Sequence, residues 1–404
     1  MMAKSSFLKQ FTWVISSRVL AAVIQAVTVV AVARSLGPAD FGLLMAVISF
    51  TIVGIAVSDL GMQKLIVAER ARDKRSLTLN SALRLNTAAS ALLALVTAST
   101  LSILGLLIDR QFFLLIPLAV SSAAEKISDT RLGVPIADGN VRPSSTNLVV
   151  RRLISLSLFL IFTIAGVTAM LSYTAALAIA ALASVIYARF AISNLVHNTR
   201  SSNDLGKTLR AGRSYWINTL FSQLRTVDVP IVSMLSGPTQ AGLYASSARL
   251  TSPITMLTNS AAIIILPHSF GLANHNRRVF VNRLLTAALI LAVLHLLFIS
   301  LVPFAIPIVL GESYGGAIIP LQIAIAGLVF FNLSTLLVPY LQGSGFEREV
   351  AFCTVSATSL AVVLVAGLAY LAGAMGASIG MAVAQVVEAA VLASVLFRGK
   401  ELRS

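Results

Sequence analysis

Gly37-Pro38-Ala39-Asp40-Phe41-Gly42-Leu43 and Gly237-Pro238-Thr239-Gln240-Ala241-Gly242-Leu243 share the pattern G-P-x-x-x-G-L at an offset of 200 residues. Two further echoes fall on nearly the same spacing. Ile116-Pro117-Leu118 recurs as Ile319-Pro320-Leu321, and Trp13 recurs as Trp216, each 203 residues on. Agreement on one offset indicates an internal duplication. The Gly-Pro turns themselves are read as helix stops and close-packing points rather than ligand contacts.

The duplicated unit is apolar. Of 404 residues, 57% are hydrophobic and 11% charged, and mean hydropathy is +0.90, which excludes a soluble globular enzyme and a disordered chain. A net charge of +15 would suggest a nucleic-acid partner on a soluble domain. Here the basic residues separate apolar runs of about 20 residues, the length that crosses a bilayer, so no nucleic acid is expected. Twelve spans are read at 10–33, 41–66, 84–107, 112–133, 146–166, 171–193, 214–235, 241–267, 282–308, 317–341, 350–372 and 377–397. The first follows a hydrophilic start without a small-residue cleavage site and is read as a retained helix. The predicted fold class is an all-α polytopic membrane protein. Cys353 stands alone in an apolar run, which excludes a disulfide framework.

With a cytoplasmic N-terminus, 25 of the 30 basic residues fall on the inner side. They cluster in stretches such as Lys64–Arg84, Lys126–Arg152 and Arg200–Arg213. The positive-inside rule therefore sets the orientation, with both termini in the cytoplasm. Six spans per half is an even number, so the halves form a parallel repeat, an arrangement in which transporters bind substrate between the repeats. The predicted division is a six-helix lobe at 1–195, a polar cytoplasmic linker at 196–212 and a second six-helix lobe at 213–404.

Charges within spans cost about 2.5–3.5 kcal/mol each at a helix centre. Arg18 lies in the first span, Arg225 and Asp228 one turn apart in the seventh, Arg249 in the eighth and Glu388 in the twelfth. Glu125, Lys126 and Asp129 gather near the inner end of the fourth, within reach of Arg151 and Arg152 on the fifth. Asp228, Glu388 and Glu125 are read as carboxylates that couple transport or pair with the cations. Arginines lining a wet cavity attract anions and suit phosphate oxygens through bidentate contacts, so an anionic cargo is expected. Gly206-Lys207-Thr208 has Ser201 where a phosphate-binding loop needs glycine. His197, His268, His275 and His295 lack metal-ligand spacing. The chain is read as a transporter without cofactor or metal, and not as an enzyme.

Arg34-Ser-Leu-Gly-Pro-Ala-Asp-Phe-Gly42, followed by an apolar run and Ser58-Asp59-Leu60-Gly61, resembles the start of Wzx-type polysaccharide flippases. These are the O-antigen and exopolysaccharide translocases of the MOP exporter superfamily. Gly237–Tyr244 with Ala245-Ser-Ser-Ala-Arg249-Leu is similar to the start of their second half, and Leu310-Gly-Glu-Ser-Tyr314 to an outer loop. The resemblance implies a MATE-like two-lobed bundle in a bacterial inner membrane, working by alternating access. It implies a polyprenyl-diphosphate-linked oligosaccharide as cargo, held at its diphosphate by Arg18, Arg225 and Arg249. Membrane lipids, and polysaccharide polymerase or export proteins, are the implied partners.

Three rival readings remain. A MATE-type cation antiporter would rely on Asp228 and Glu388. A major-facilitator transporter would need glycines that Ala68–Arg75 lacks. A membrane glycan polymerase or ligase would need a long outer loop.

Overall fold

The computed structural model describes residues 2–73, 78–196, 205–269 and 274–401, apart from the side chains of 2–11, 72, 347, 398–401 and a number between 214 and 287, Arg225 among them. The described residues are almost entirely helical and contain no strand. The helices are α1 (Met2–Ser58), α2 (Met62–Arg72), α3 (Thr78–Leu107), α4 (Pro117–Ala137), α5 (Arg142–Ile164) and α6 (Ala169–Val196). They continue with α7 (Leu205–Gln223), α8 (Asp228–Ser236), α9 (Pro238–Ser269), α10 (Asn274–Val309), α11 (Ile318–Gly343) and α12 (Glu347–Glu401). Seven stretches among the described residues are long and apolar enough to cross a membrane. Two of these, in α1 and α12, run 47 and 50 residues and each carries a backbone break.

The chain divides into two compact units that do not follow the sequence halves. One comprises 1–28 and 47–226, the other 29–46 and 227–404. Thus a central piece of α1 packs with the later helices, and α7 packs with the earlier ones. The boundary expected at 196–212 falls partly on 197–204, outside the described residues.

In the first unit α4 is central, packed on α2, α3, α5 and α6. A 3-10 turn, Arg110–Leu115, leads into it, capped where the Asp109 carboxylate accepts from the Gln111 N–H at 2.8 Å. Pro117 then starts the helix, where a missing N–H costs nothing. In the second unit α11 holds the corresponding place, packed on α9, α10 and α12, after a 3-10 turn at Glu312–Ala317 and with Pro320 in its first turn. The Ile-Pro-Leu echo therefore marks the middle helix of each unit.

Glycines with positive φ repeat in the same way. Gly37 (φ 76, ψ 171) and Gly237 (φ 86, ψ 166) share one conformation, in a region open essentially to glycine alone. Gly139 and Gly345, then Gly166 and Gly373, turn the chain at matching places around α5 and the first arm of α12. These pairs are 206 and 207 residues apart, a drift that hides them from a search at one fixed offset.

The two G-P-x-x-x-G segments meet inside the second unit. A Cβ on Gly42 would lie 2.6 Å from the Gly242 nitrogen and would overlap the Pro238 carbonyl. A Cβ on Gly242 would lie 3.0 Å from the Gly42 nitrogen and overlap the Pro38 carbonyl. The contact is reciprocal, backbone on backbone. Around it, the Tyr314 hydroxyl donates to the Ala33 carbonyl at 2.9 Å, Phe41 meets the Tyr314 ring edge-on at 6.3 Å, and the Arg34 Nη1 donates to the Ile308 carbonyl at 3.2 Å. Helix ends leave carbonyls without intrahelical donors, and Tyr314 supplies one where Gly37 and Pro38 interrupt α1. Gln240 does the converse at the break in α12, accepting from the Ala374 N–H at 3.0 Å.

Gly42→Ala and Gly242→Ala are each expected to destabilise the protein by about 3 kcal/mol, the upper part of the overpacking range, because backbone rather than side chain must move. Gly37→Ala meets no neighbour and carries only conformational strain, about 1–3 kcal/mol. Thermal unfolding of the purified variants in detergent checks both. An unchanged Gly242→Ala midpoint would contradict the close approach.

Candidate functional site

Two polar constellations lie within the helices, one in each unit. In the first unit the chain breaks at Asp59-Leu60-Gly61 between α1 and α2, with Leu60 at φ 49 and Gly61 at φ 74. A left-handed leucine is costly, and its surroundings hold it there. Gly61 lies directly on the Gly212 carbonyl of α7, and the Trp216 indole donates to the Val57 carbonyl at 2.9 Å and the Ala56 carbonyl at 3.2 Å. Trp216, met in sequence as the echo of Trp13, thus caps the end of α1.

The break turns Asp59 inward to form a buried ion pair with Lys126 of α4, whose ammonium also donates to the Gln63 Oε1 at 3.0 Å. One residue away, Glu125 faces α5 and accepts from Arg151 Nη2 at 2.7 Å, while Asp129 accepts from Nη1 at 3.1 Å. Arg151 is buried, and its Nε has no partner among the described residues. Of the two candidate cations on α5, Arg151 makes the pairs. Asn147 and Ser184 extend the polar seam into α6, the hydroxyl donating at 2.8 Å. Three carboxylates and two cations thus meet among the α1–α2 turn, α4 and α5, and each ion pair reduces a desolvation cost its members would otherwise carry alone.

The second constellation sits at the break between α7 and α8. Helix α7 ends at Gln223, a 3-10 turn occupies Leu224–Val227, and α8 starts at Asp228. Arg225 lies in that turn, its side chain outside the described residues. Half-buried Asp228 accepts from the Val229 N–H at 2.8 Å and from the Tyr244 hydroxyl at 2.8 Å. Its negative charge at the first turn suits the helix dipole. Half-buried Arg249, further along α9, acts electrostatically on Asp228. Helices α8, α9 and α12 pack on one another, so Asp228, Arg249 and buried Glu388 belong to one helix group. Arg18 lies in the first unit and is exposed, with no ion pair among the described residues.

Broken membrane helices expose backbone dipoles where substrates and ions bind, and 3-10 stretches inside helices mark hinges. The interruption at 224–228 therefore supplies polar groups at a helix break. Sequence reading found Asp228 and Arg249 there but missed Tyr244, a tyrosine in an otherwise apolar run. It also missed Asp59, whose charge was absorbed into a turn motif.

His295 is buried between the Leu291 carbonyl, which its Nδ1 meets at 2.5 Å, and Asn332, 3.3 Å from Nε2. His197, His268 and His275 lie outside the described residues or side chains. No group of three metal-binding side chains occurs among the described residues.

The sequence model of a family described as polysaccharide biosynthesis protein matches residues 7–272. A search of curated proteins gives no significant sequence match. Among solved structures, the chain resembles an inward-facing multidrug resistance MATE family transporter of the MOP superfamily, with TM-score 0.69 at 16% identity, covering 95% of this chain and 96% of that one. It resembles the lipid II flippase MurJ in an inward closed conformation, with TM-score 0.69 at 12% identity, covering 96% and 87%. A MOP superfamily transporter from Pyrococcus furiosus, described as having a binding pocket of reversed polarity, gives 0.62 at 14% identity, covering 98% and 96%. At these identities the likeness shows a shared fold.

Removing one member of the Asp59–Lys126 pair leaves the other buried and uncompensated. Asp59→Asn and Lys126→Gln are each expected to cost about 3–5 kcal/mol, with the double variant recovering a large part. A double-mutant cycle on unfolding midpoints measures the coupling, and strictly additive losses would contradict a direct pair.

Proposed function

The chain belongs to the polysaccharide biosynthesis protein family, and from that premise we propose that it flips a lipid-linked oligosaccharide across the cytoplasmic membrane of a bacterium. The cargo is a polyprenyl-diphosphate-linked repeat unit of an O-antigen or exopolysaccharide, moved from the inner to the outer leaflet by alternating access. Twelve crossings in two six-span halves, with both termini cytoplasmic, complete the proposal. A polysaccharide polymerase or export protein takes up the product.

The observation that carries this reading is the family match over most of a chain whose helices are of membrane length. Further support comes from the arginines. Arg18, Arg225 and Arg249 are the proposed contacts to the diphosphate, since guanidinium groups bind phosphate oxygens in pairs. Outward movement of an anion runs downhill in an inside-negative potential by about 2.3 kcal/mol per charge per 100 mV. The cargo then needs its head group shielded more than it needs pumping.

A second reading, cation or drug antiport as in MATE transporters, is favoured by the half-buried carboxylate of Asp228 with its tyrosine partner. The two readings separate on charge. Arg249→Gln and Arg225→Gln are expected to cut appearance of the lipid-linked oligosaccharide on the outer leaflet about tenfold or more, the loss of one charged hydrogen bond. Asp228→Asn should spare more of the flux. The leaflet distribution of polyprenyl-diphosphate oligosaccharides, in cells with and without each variant, is the measurement. An unchanged inner-leaflet pool in cells lacking the protein would turn the assignment to antiport.

A further inference from the structure

A second cationic site lies wholly within the first unit, apart from the arginines assigned to cargo. Arg84 of α3, Arg131 of α4 and Arg189 of α6 line one open groove together with Asn80, Thr87 and Ser193. The groove volume is about 1160 Å³, somewhat above the usual range of small-molecule sites. Helix α3 begins, and α4 and α6 end, on the same side of the unit. Arg84 lies six residues into α3, Arg131 six before the end of α4 and Arg189 seven before the end of α6. At 1.5 Å per residue, all three sit about 9–10 Å in from that end.

The three guanidinium groups are unbalanced. None makes an ion pair among the described residues, and Arg131, half-buried, feels the charge of Arg189 rather than that of a carboxylate. This contrasts with Lys126 and Arg151 in the same unit, both matched to acids. Like charges held together without a counter-charge are unfavourable unless an anion joins them. Deeper along the helices than the arginines the groove lining is apolar, formed by Ala88, Ala91, Val185 and Ile186. On the same helices Leu92, Leu95 and Phe190 are exposed, a surface suited to hydrocarbon. Cations at one depth, with hydroxyl and amide donors beside them and an apolar wall beyond, match an anionic head group joined to an acyl or prenyl chain.

We propose that this groove binds the phosphate head group of an anionic membrane lipid, with Arg84, Arg131 and Arg189 contacting the phosphate oxygens. The inference stands apart from the transport reading, because a chain that carries a different cargo would bind such a lipid equally well.

The test titrates phosphatidylglycerol onto the purified full chain in phosphatidylcholine nanodiscs and counts bound lipid by native mass spectrometry. Each Arg→Gln change is expected to weaken binding about fivefold, the effect of one basic residue near a charged lipid surface. Arg84→Gln/Arg131→Gln/Arg189→Gln is expected to abolish retention, and the matching triple lysine variant to restore most of it. Arg110→Gln, an exposed position in the 3-10 turn at the other end of α3, should leave the affinity unchanged. Arg189→Gln, an exposed position, supplies the measurement should the triple glutamine variant misfold. Equal affinity in wild type and Arg189→Gln overturns the proposal. So does displacement of the lipid by inorganic phosphate alone, which would identify a site for a soluble anion.

Discussion

The reciprocal contact between Gly42 and Gly242 is the constraint on which the second unit depends. Two helix starts, each opened by a Gly-Pro turn, touch along their backbones without intervening side chains. In a bilayer, where apolar side chains gain little by leaving lipid for one another, small residues that admit close helix approach provide much of the packing energy. The contact also explains why 29–46 belongs with the later helices. Once Gly42 is seated on Gly242, Ala33 comes within reach of Tyr314 and Arg34 within reach of the Ile308 carbonyl. At the other exchanged segment, Gly61 lies on α7 and Trp216 closes the end of α1, so α7 is held by the first unit.

Charge is handled in two ways inside the same first unit. Lys126 and Arg151 are surrounded by Asp59, Glu125, Asp129 and Gln63, which makes them parts of the scaffold. Arg84, Arg131 and Arg189, nearer the helix ends, make no ion pair among the described residues and line an open groove. A cation matched to acids at short range is held in place, whereas an unmatched one is available to a ligand. The difference is invisible in a count of arginines per span, because it depends on which helix faces which.

Much of the fold was legible because apolar length and internal repetition are properties of the linear chain. The Gly-Pro and Ile-Pro-Leu echoes located, respectively, the crossing of the second unit and the middle helix of each unit. The pairs Gly139–Gly345 and Gly166–Gly373 were not found, since small length differences between the halves shift them off the common offset. The exchange of segments between units was equally hidden, because it follows from close approach in space. At the candidate site, the pairing of Glu125 with Arg151 was anticipated from helix ends that had to meet. Asp59 was not recognised as its neighbour's counter-ion, because its partner lies on a different helix, two spans further along. Tyr244 and Tyr314 stand in segments the resemblance used, yet their contacts gave no signal: a hydroxyl directed at a carboxylate or carbonyl has no periodicity.

The exchange of segments has a consequence for biosynthesis. Residues 29–46 leave the ribosome early, yet their partner Gly242 follows 200 residues later, a delay of about 10–40 s at typical elongation rates of about 5–20 residues per second. For that interval a nascent membrane helix waits with its glycine face uncovered and its Ala33 carbonyl uncapped. The insertion machinery, or neighbouring lipid, has to shelter it until translation delivers its mate.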